Sequence, residues 1–186
     1  MRIITGISNA QSAGEIQAYA EAGVDEFFVG YVPEKWQEQY GWELSCNRRE
    51  TSKYQYLSKE ELANVVDLIR QQQKKVFLTL NAHDYNSKQI DLLMKIMDDM
   101  DDVTFDGLIV SNPGIILELQ RRGIDYEINL SIGGASNNIE TIQFFHANFD
   151  RIGRIILPRK LTISEIGKIS EWAREHSVRL EAFGMS

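Results

Sequence analysis

Short runs of β-branched and aromatic residues alternate with longer amphipathic segments along the whole chain. Seven runs are predicted as strands, and they lie at Ile3–Ile7, Phe27–Val29, Val76–Leu80, Leu108–Val110, Tyr126–Leu130, Arg154–Leu157 and Arg179–Phe183. Between them, apolar residues recur at helical spacing, most clearly over Ala10–Ala22, Lys59–Gln73 and Lys88–Met100. Strict alternation of strands and helices, with right-handed crossovers, predicts a parallel sheet covered by helices.

Residues that begin and end helices stand between these runs. Ser58 precedes Lys59-Glu60-Glu61 as a predicted N-cap, and Thr162 or Ser164 precedes Glu165 in the same way. Gly23 supplies a helix stop before the second strand. These signals support the alternation without requiring any ligand.

Two architectures fit this pattern, a doubly wound sheet and a TIM-type (β/α) barrel. No G-x-G-x-x-G follows the first strand, and polar residues follow nearly every strand rather than one switch point, which favours the barrel. A closed barrel needs eight strands and typically about 250 residues. The 186 residues and seven predicted strands therefore indicate one domain over 1–186, a shortened barrel of about seven βα units.

One segment interrupts the alternation, a long insertion at 31–57 between the second strand and its helix. Trp36, Tyr40 and Trp42 argue against disorder, because aromatic side chains bury area when they meet a surface. The insertion is either a lid over the barrel mouth or a loop that contacts substrate there, and the two interpretations are compatible.

Composition excludes several classes of protein. The formal net charge of −7 argues against binding to nucleic acid through the phosphate backbone, and a polar small molecule or a peptide is the expected substrate. Because the chain has a single cysteine, Cys46, it cannot form an internal disulfide or a metal site of several cysteines. No signal peptide or membrane span is visible, so a cytoplasmic location is expected, and a homo- or hetero-oligomer stays open.

In a barrel, functional residues gather at the carboxyl ends of the strands. The residues predicted to bind substrate there are Tyr31, Asn81, Asn112 and Ser131. The predicted catalytic residues are Glu181, Arg159 and His83, since inward charges are costly unless they have a role or a partner. Arg159 can hold a carboxylate or phosphate, or pair with Glu181, and His83 is the one histidine at a strand end. For each Asn or Ser, capping a loop is the competing interpretation.

Three further features carry weaker predictions. Arg48 and Arg49 follow Cys46 closely and would lower a thiol pKa, although a lone loop cysteine is more often incidental. The glycine-bearing turn at 131–138 precedes a helix and can receive an anion, which would suit an unrelated phosphate-binding barrel enzyme. The aspartates at 98–102 are expected to be a solvated charge run, and no metal site is predicted.

The stretch YEINLSIGGASNNIETIQFFHANFDRIGRIILPRKLTISEI, followed by RLEAF, resembles the collagenase-like peptidase family, peptidase U32. Ser131, Asn138, Arg159, Leu161 and Glu181 fall on matching positions of that family's motifs. AEAGVDEFFVG, the Asn47-Arg48-Arg49 loop and VFLTLNA resemble its second strand, its Arg-bearing loop and its third strand. The resemblance runs from end to end of the chain.

This resemblance implies a barrel enzyme in which Arg48 and Arg159 hold an anionic or carbonyl group and Glu181 orients it or acts as acid or base. The family's label implies a peptidase. The alternative it implies is an iron–sulfur-dependent, oxygen-independent hydroxylase that modifies RNA or a quinone precursor. A diverged, non-catalytic partner barrel is a third option.

The sequence departs from the family at the seventh strand, which reads Glu181-Ala182-Phe183-Gly184-Met185-Ser186 without the family's His-Gly, and at Gly133 and Lys160. The resemblance places the cluster-binding cysteines beyond Ser186. No cofactor is therefore expected to be held by the residues of this chain.

Overall fold

The computed structural model describes residues 1–42, 44–49, 54–134 and 136–184. Their strands are β1 (Ile4–Gly6), β2 (Glu26–Val29), β3 (Lys75–Leu80), β4 (Gly107–Val110), β5 (Glu127–Leu130), β6 (Ile152–Ile156) and β7 (Arg179–Glu181). Their helices are α1 (Ala13–Glu21), α2 (Glu34–Tyr40), α3 (Lys59–Gln71), α4 (Ser87–Asp98), α5 (Pro113–Arg121), α6 (Ile139–Asn148) and α7 (Ile163–Glu175). A short 3₁₀ turn over Ile132–Gly134 lies between β5 and α6.

The strands form one parallel sheet in the order β1 to β7, without the reversal that a doubly wound sheet requires. In a flat sheet, β2 and β6 would lie about 19 Å apart, at about 4.8 Å for each strand spacing. Glu26 on β2 nevertheless forms an ion pair with Arg154 on β6, so the sheet curls around this contact. Because no ladder joins β7 to β1 within the described residues, the predicted incomplete barrel is confirmed.

Side chains alternate between two apolar regions along the strands. Residues facing outward pack against the helices in one large core, which includes Phe27, Val29 and Leu78. Inward-facing Phe77, Ile109 and Ile156 form a smaller cluster inside the barrel, with Phe28 and Ile132 packed against it. The inner apolar cluster is small because many inward positions carry polar or charged residues.

Local capping explains where the helices begin. The side chains of Ser58 and Thr162 accept hydrogen bonds from the backbone N–H groups of Glu61 and Glu165, which confirms both predicted N-caps. After α1, Gly23 has a φ of 100°, a value that favours glycine, and this confirms the predicted stop. The helix α1 begins later than predicted, because Ser12 caps it at Ala13.

The insertion at 31–57 contains a helix, α2, that the sequence patterns did not predict. Trp36 on α2 is buried, and its indole N–H donates to the Leu44 carbonyl over 2.6 Å, whereas Trp42 is exposed. Glu43 and residues 50–53 of the insertion lie outside the described residues. In the described part of the chain, no helix is long and apolar enough to cross a membrane.

Candidate functional site

Asn81 lies at the centre of a polar cluster at the carboxyl end of the barrel, beside Ser111 and Ser131. Its Nδ2 donates to Ser131 Oγ over 3.3 Å, and its backbone carbonyl accepts from Ser111 Oγ over 3.1 Å. Its Oδ1 accepts from the backbone N–H of Arg48 over 3.1 Å. Asn81, Ser111 and Ser131 are called the upper cluster below. It brings together two predicted substrate-binding residues and places the insertion over the barrel mouth.

Asn112 and His83 meet at the rim of the mouth, but Asn112 also caps a helix. Its Oδ1 accepts from the backbone N–H of Gly114 over 2.9 Å at the start of α5, and its Nδ2 donates to the His83 carbonyl over 3.3 Å. His83 is exposed. The bond to Gly114 agrees with the competing interpretation of Asn112 as a capping residue. The imidazole of His83 is accessible at the mouth.

Tyr31 lies in the core beneath the insertion rather than in the mouth. Its side chain is buried, and burial raises its pKa to about 12. Its carbonyl accepts from the thiol of Cys46 over 3.1 Å and from Asn47 Nδ2 over 3.4 Å. Tyr31 therefore anchors the insertion, and its predicted contact with substrate stays a prediction.

Cys46 is a structural thiol and not an activated one. It is fully buried, and burial raises its pKa to about 12, opposite to the direction expected from its arginine neighbours. The reason is that desolvation disfavours the thiolate more than its surroundings stabilise it.

Arg159 lies apart from Glu181, above the ring of Phe183. The guanidinium carbon is 4.3 Å from the ring centroid, and the side chain is exposed. Arg159 and Phe183 border a cavity of about 290 Å³ between the ends of β6 and β7. Arg159 thus remains available to a ligand at the rim.

Glu181 instead pairs with Arg154 inside the barrel. Arg154 Nη1 lies 3.1 Å from Glu181 Oε2, its Nη2 bonds Glu26 Oε2, and its guanidinium lies 5.1 Å from the Phe77 ring centroid. Arg2 reaches Glu26 Oε1 over 2.9 Å. These residues, extended by a pair between Arg179 and Glu127, form the ion cluster: Arg2, Glu26, Glu127, Arg154, Arg179 and Glu181.

Burial raises the pKa of Glu181, and its partner Arg154 opposes that shift without cancelling it. A raised pKa suits a carboxyl group that holds and transfers a proton nearer to neutral pH. The sequence interpretation found Glu181 but missed Glu26 and Arg154. The alternation of side chains along a strand could have identified Glu26 as inward-facing, because it shares the inward face of β2 with Phe28 and Gly30.

The turn at 131–138 is used internally where the structure describes it, and Ala135 lies outside the described residues. The N–H of Gly134 donates to the Ser131 carbonyl over 2.8 Å, and that of Thr141 donates to Asn138 Oδ1 over 2.8 Å. These N–H groups are therefore not aimed at an anion.

The described residues do not fit an iron–sulfur cluster. Their one cysteine, Cys46, is buried with its thiol donating to a carbonyl, and no group of three or more potential ligands among them can hold a metal ion.

Asn129 is a fully buried amide on β5, and neither of its side-chain polar atoms has a hydrogen-bond partner among the described residues. Burying an unsatisfied polar group costs about 1–3 kcal/mol. We expect Asn129→Leu to leave the free energy of unfolding unchanged or to raise it by about 1 kcal/mol. The midpoint of urea unfolding measures this change.

Thr79→Val is the matched control for Asn129→Leu. Thr79 is also buried and faces inward, but its hydroxyl donates to the Val29 carbonyl over 2.9 Å. Its loss is expected to destabilise the protein by about 1 kcal/mol. A loss of 2 kcal/mol or so in Asn129→Leu would contradict the assignment of an unsatisfied amide.

Two curated proteins are similar to part of the sequence, and solved structures superpose on nearly the whole chain. The tRNA hydroxylation protein P of Haemophilus influenzae is 30% identical over 110 residues, which are 59% of this chain and 23% of that protein. The tRNA hydroxylation protein P1 of Bacillus subtilis is 26% identical over 124 residues, which are 67% of this chain and 28% of that protein. The chain therefore spans about a quarter of the length of these relatives.

Among solved structures, a U32 peptidase superposes with a TM-score of 0.67 at 16% identity, over 98% of this chain and 68% of that one. An enolase protein from Sargasso Sea environmental sequencing superposes with a TM-score of 0.60 at 12% identity, over 98% of this chain and 47% of that one. At these identities the likeness shows the fold alone. The model of peptidase family U32 matches residues 11–186, and the chain therefore belongs to peptidase family U32.

Proposed function

We propose that this chain forms the substrate-holding barrel of a U32 enzyme that hydroxylates tRNA, rather than of a peptidase. The observation that carries the proposal is the upper cluster, where one amide and two hydroxyl groups meet at the barrel mouth. The names of the two curated relatives supply the reaction class.

The upper cluster has the chemistry that reads the edge of an unstacked base. An asparagine amide offers two N–H donors and one acceptor, and a serine hydroxyl both donates and accepts. Sequence-specific RNA recognition uses such groups on bases that are splayed out of a loop. The internal bonds of Asn81 and Ser131 can exchange for bonds to a base without leaving a buried group unpaired.

Peptide hydrolysis is the competing function, and it derives from the family's name. When it proceeds through a covalent intermediate, it requires a side-chain nucleophile within hydrogen-bond reach of a base. The thiol of Cys46 donates to the Tyr31 carbonyl in the core and has a raised pKa, so it does not supply that nucleophile. This observation argues against a cysteine-peptidase mechanism for the described residues.

Glu181 is the proposed acid or base of the barrel. Burial raises its pKa, and Arg154 holds the carboxylate in one orientation through a 3.1 Å contact. Arg159 and His83 are proposed to contact the substrate from the rim, and Arg48 to lie over the mouth through its backbone bond to Asn81. The net charge of −7 implies that backbone contacts to tRNA are few within this chain.

The test uses the complete gene in the organism that carries it. Deleting the gene is expected to remove one modified nucleoside from digested tRNA and to leave its counterpart lighter by one oxygen atom. Mass spectrometry of the nucleosides measures this, and the wild-type gene should restore the heavier form. Incubating the purified protein with an unstructured peptide mixture should yield no cleavage.

Complementation with variants links the result to the upper cluster. A gene encoding Asn81→Ala is expected to restore at most about a fifth of the modified nucleoside, since the loss of a specific base contact costs about 1–3 kcal/mol. Asn64→Ala, at an exposed position on α3, is the matched control and should restore all of it. Unchanged tRNA together with specific peptide cleavage would overturn the proposal.

A further inference from the structure

Arg49 reaches from the insertion into the barrel mouth, unlike its exposed neighbour Arg48. Its Nη1 donates to the Phe28 carbonyl over 3.2 Å, and its guanidinium lies 5.3 Å from the centroid of the Phe28 ring. Desolvation by burial lowers its pKa. The side chain is therefore a partly buried cation inside the barrel, above the inner apolar cluster.

Two glycines make room for this side chain. A Cβ atom on Gly30 would lie 2.7 Å from Arg49 Cδ, and one on Gly6 would lie 3.3 Å from Arg49 Nη2. Asn47 and Gln55 fix the loop around it through reciprocal amide bonds of 2.9 Å each. The position of the guanidinium is thus set by strand and loop together, before any ligand arrives.

The charge of Arg49 has no carboxylate partner among the described residues. Arg154, which packs over the ring of Phe77 inside the barrel, has two such partners, Glu26 and Glu181. A partly buried cation without a counter-charge is unfavourable, and such a group in a cleft is a candidate site for a ligand that supplies the charge. The contrast between these two arginines points to an anion at Arg49.

We propose that Arg49 is the binding site for an oxyanion, a carboxylate or a phosphate group, in the mouth of the barrel. A planar guanidinium binds both groups through paired N–H donors. The proposal rests on the proposed function, because the anion and the tRNA base would enter the same barrel mouth. It concerns the binding of the anion and not the hydroxylation reaction. It also replaces Arg48, the residue predicted from the sequence, with its neighbour as the main anion contact.

Thermal unfolding of the protein in phosphate, in malonate and in chloride at equal ionic strength tests this proposal. At about ten times the dissociation constant, the bound anion should raise the melting temperature by about 3–6 °C. Arg49→Gln should abolish the rise, and Arg48→Gln, which removes the same charge from the same loop, should retain it. A rise with malonate alone identifies a carboxylate, and a rise with phosphate alone identifies a phosphate group.

A crossover in stability separates this proposal from a merely structural role. In chloride, Arg49→Gln should melt no lower than wild type, because it removes a partly buried charge that has no carboxylate partner among the described residues. With the anion present, the variant should melt lower than wild type. If Arg49→Gln does not fold, Arg49→Lys should bind the anion at least about tenfold more weakly, because it loses the paired donors.

Two results would overturn the proposal. One is a rise in melting temperature that persists in Arg49→Gln. The other is the absence of any rise in melting temperature, both in wild type and in Glu50→Gln. The variant removes the carboxylate that follows Arg49 in the sequence, at a position outside the described residues. The gene-deletion experiment measures tRNA hydroxylation and the melting experiment measures anion binding. Failure of one proposal can therefore be distinguished from failure of the other.

Discussion

Arg154→Met is expected to lower the free energy of unfolding by about 3–5 kcal/mol, because it leaves the buried carboxylate of Glu26 without its main partner. Glu26 is almost inaccessible to solvent, and its other contacts are the exposed Arg2 and a distant Arg179 at 3.9 Å. Methionine keeps most of the packing on Phe77, so the loss reports the charge. Urea unfolding at neutral pH measures it.

A double variant distinguishes lost charge balance from lost packing. Adding Glu26→Gln to Arg154→Met removes the unpaired carboxylate and should recover at least about 1 kcal/mol. Arg159→Met also removes an arginine from an aromatic ring, but at an exposed site, and should cost less than about 1 kcal/mol. A double variant no more stable than Arg154→Met would show that packing, and not charge, governs the site.

The alternation of strands and helices could be predicted from the sequence because it depends on local signals. Ser58 and Thr162 cap the helices that they precede, and Gly23 ends α1 as expected. The choice of a barrel over a doubly wound sheet also followed from the sequence, since polar residues stand at the ends of many strands. The helix α2 was missed because its sequence, EKWQEQY, is short and its burial rests mainly on Trp36.

The ion cluster could not be predicted in the same way, because its partners meet only when the sheet curls. Glu26 and Arg154 are separated by 128 positions in the sequence, and nothing local to either residue names the other. Sequence reasoning offered Arg159 as a partner for Glu181, whereas the geometry gives Arg154. Period-two spacing identifies which charges face inward, but it does not identify their pairs.

The choice between Arg48 and Arg49 shows a second limit. The two residues are adjacent and chemically identical, so only the conformation of the loop decides which one enters the barrel. Cys46 shows the same limit for electrostatics, since proximity in sequence suggested a lowered pKa and burial raises it. Both cases depend on solvent exposure, which the sequence does not give.

Glu181→Gln is expected to separate stability from function. Burial raises the pKa of Glu181 above its usual 4.5, so the folded state binds this proton more tightly than the unfolded state. The resulting stabilisation is complete below the unfolded pKa and is lost as the pH rises through the folded pKa. Wild type should therefore lose stability relative to Glu181→Gln across that interval, in urea unfolding measured between about pH 4 and pH 8.

At neutral pH, Glu181→Gln should be at least as stable as wild type, since Arg154 keeps Glu26 and burial opposes the charge that is removed. The modified tRNA nucleoside should nevertheless form about 10²-fold or more slowly, as expected for loss of a general acid or base. Glu127→Gln, in the same ion cluster but paired with Arg179, should retain most activity. Equal activity in Glu181→Gln and wild type would assign Glu181 a purely structural role, because the proton that it holds would then have no part in the reaction.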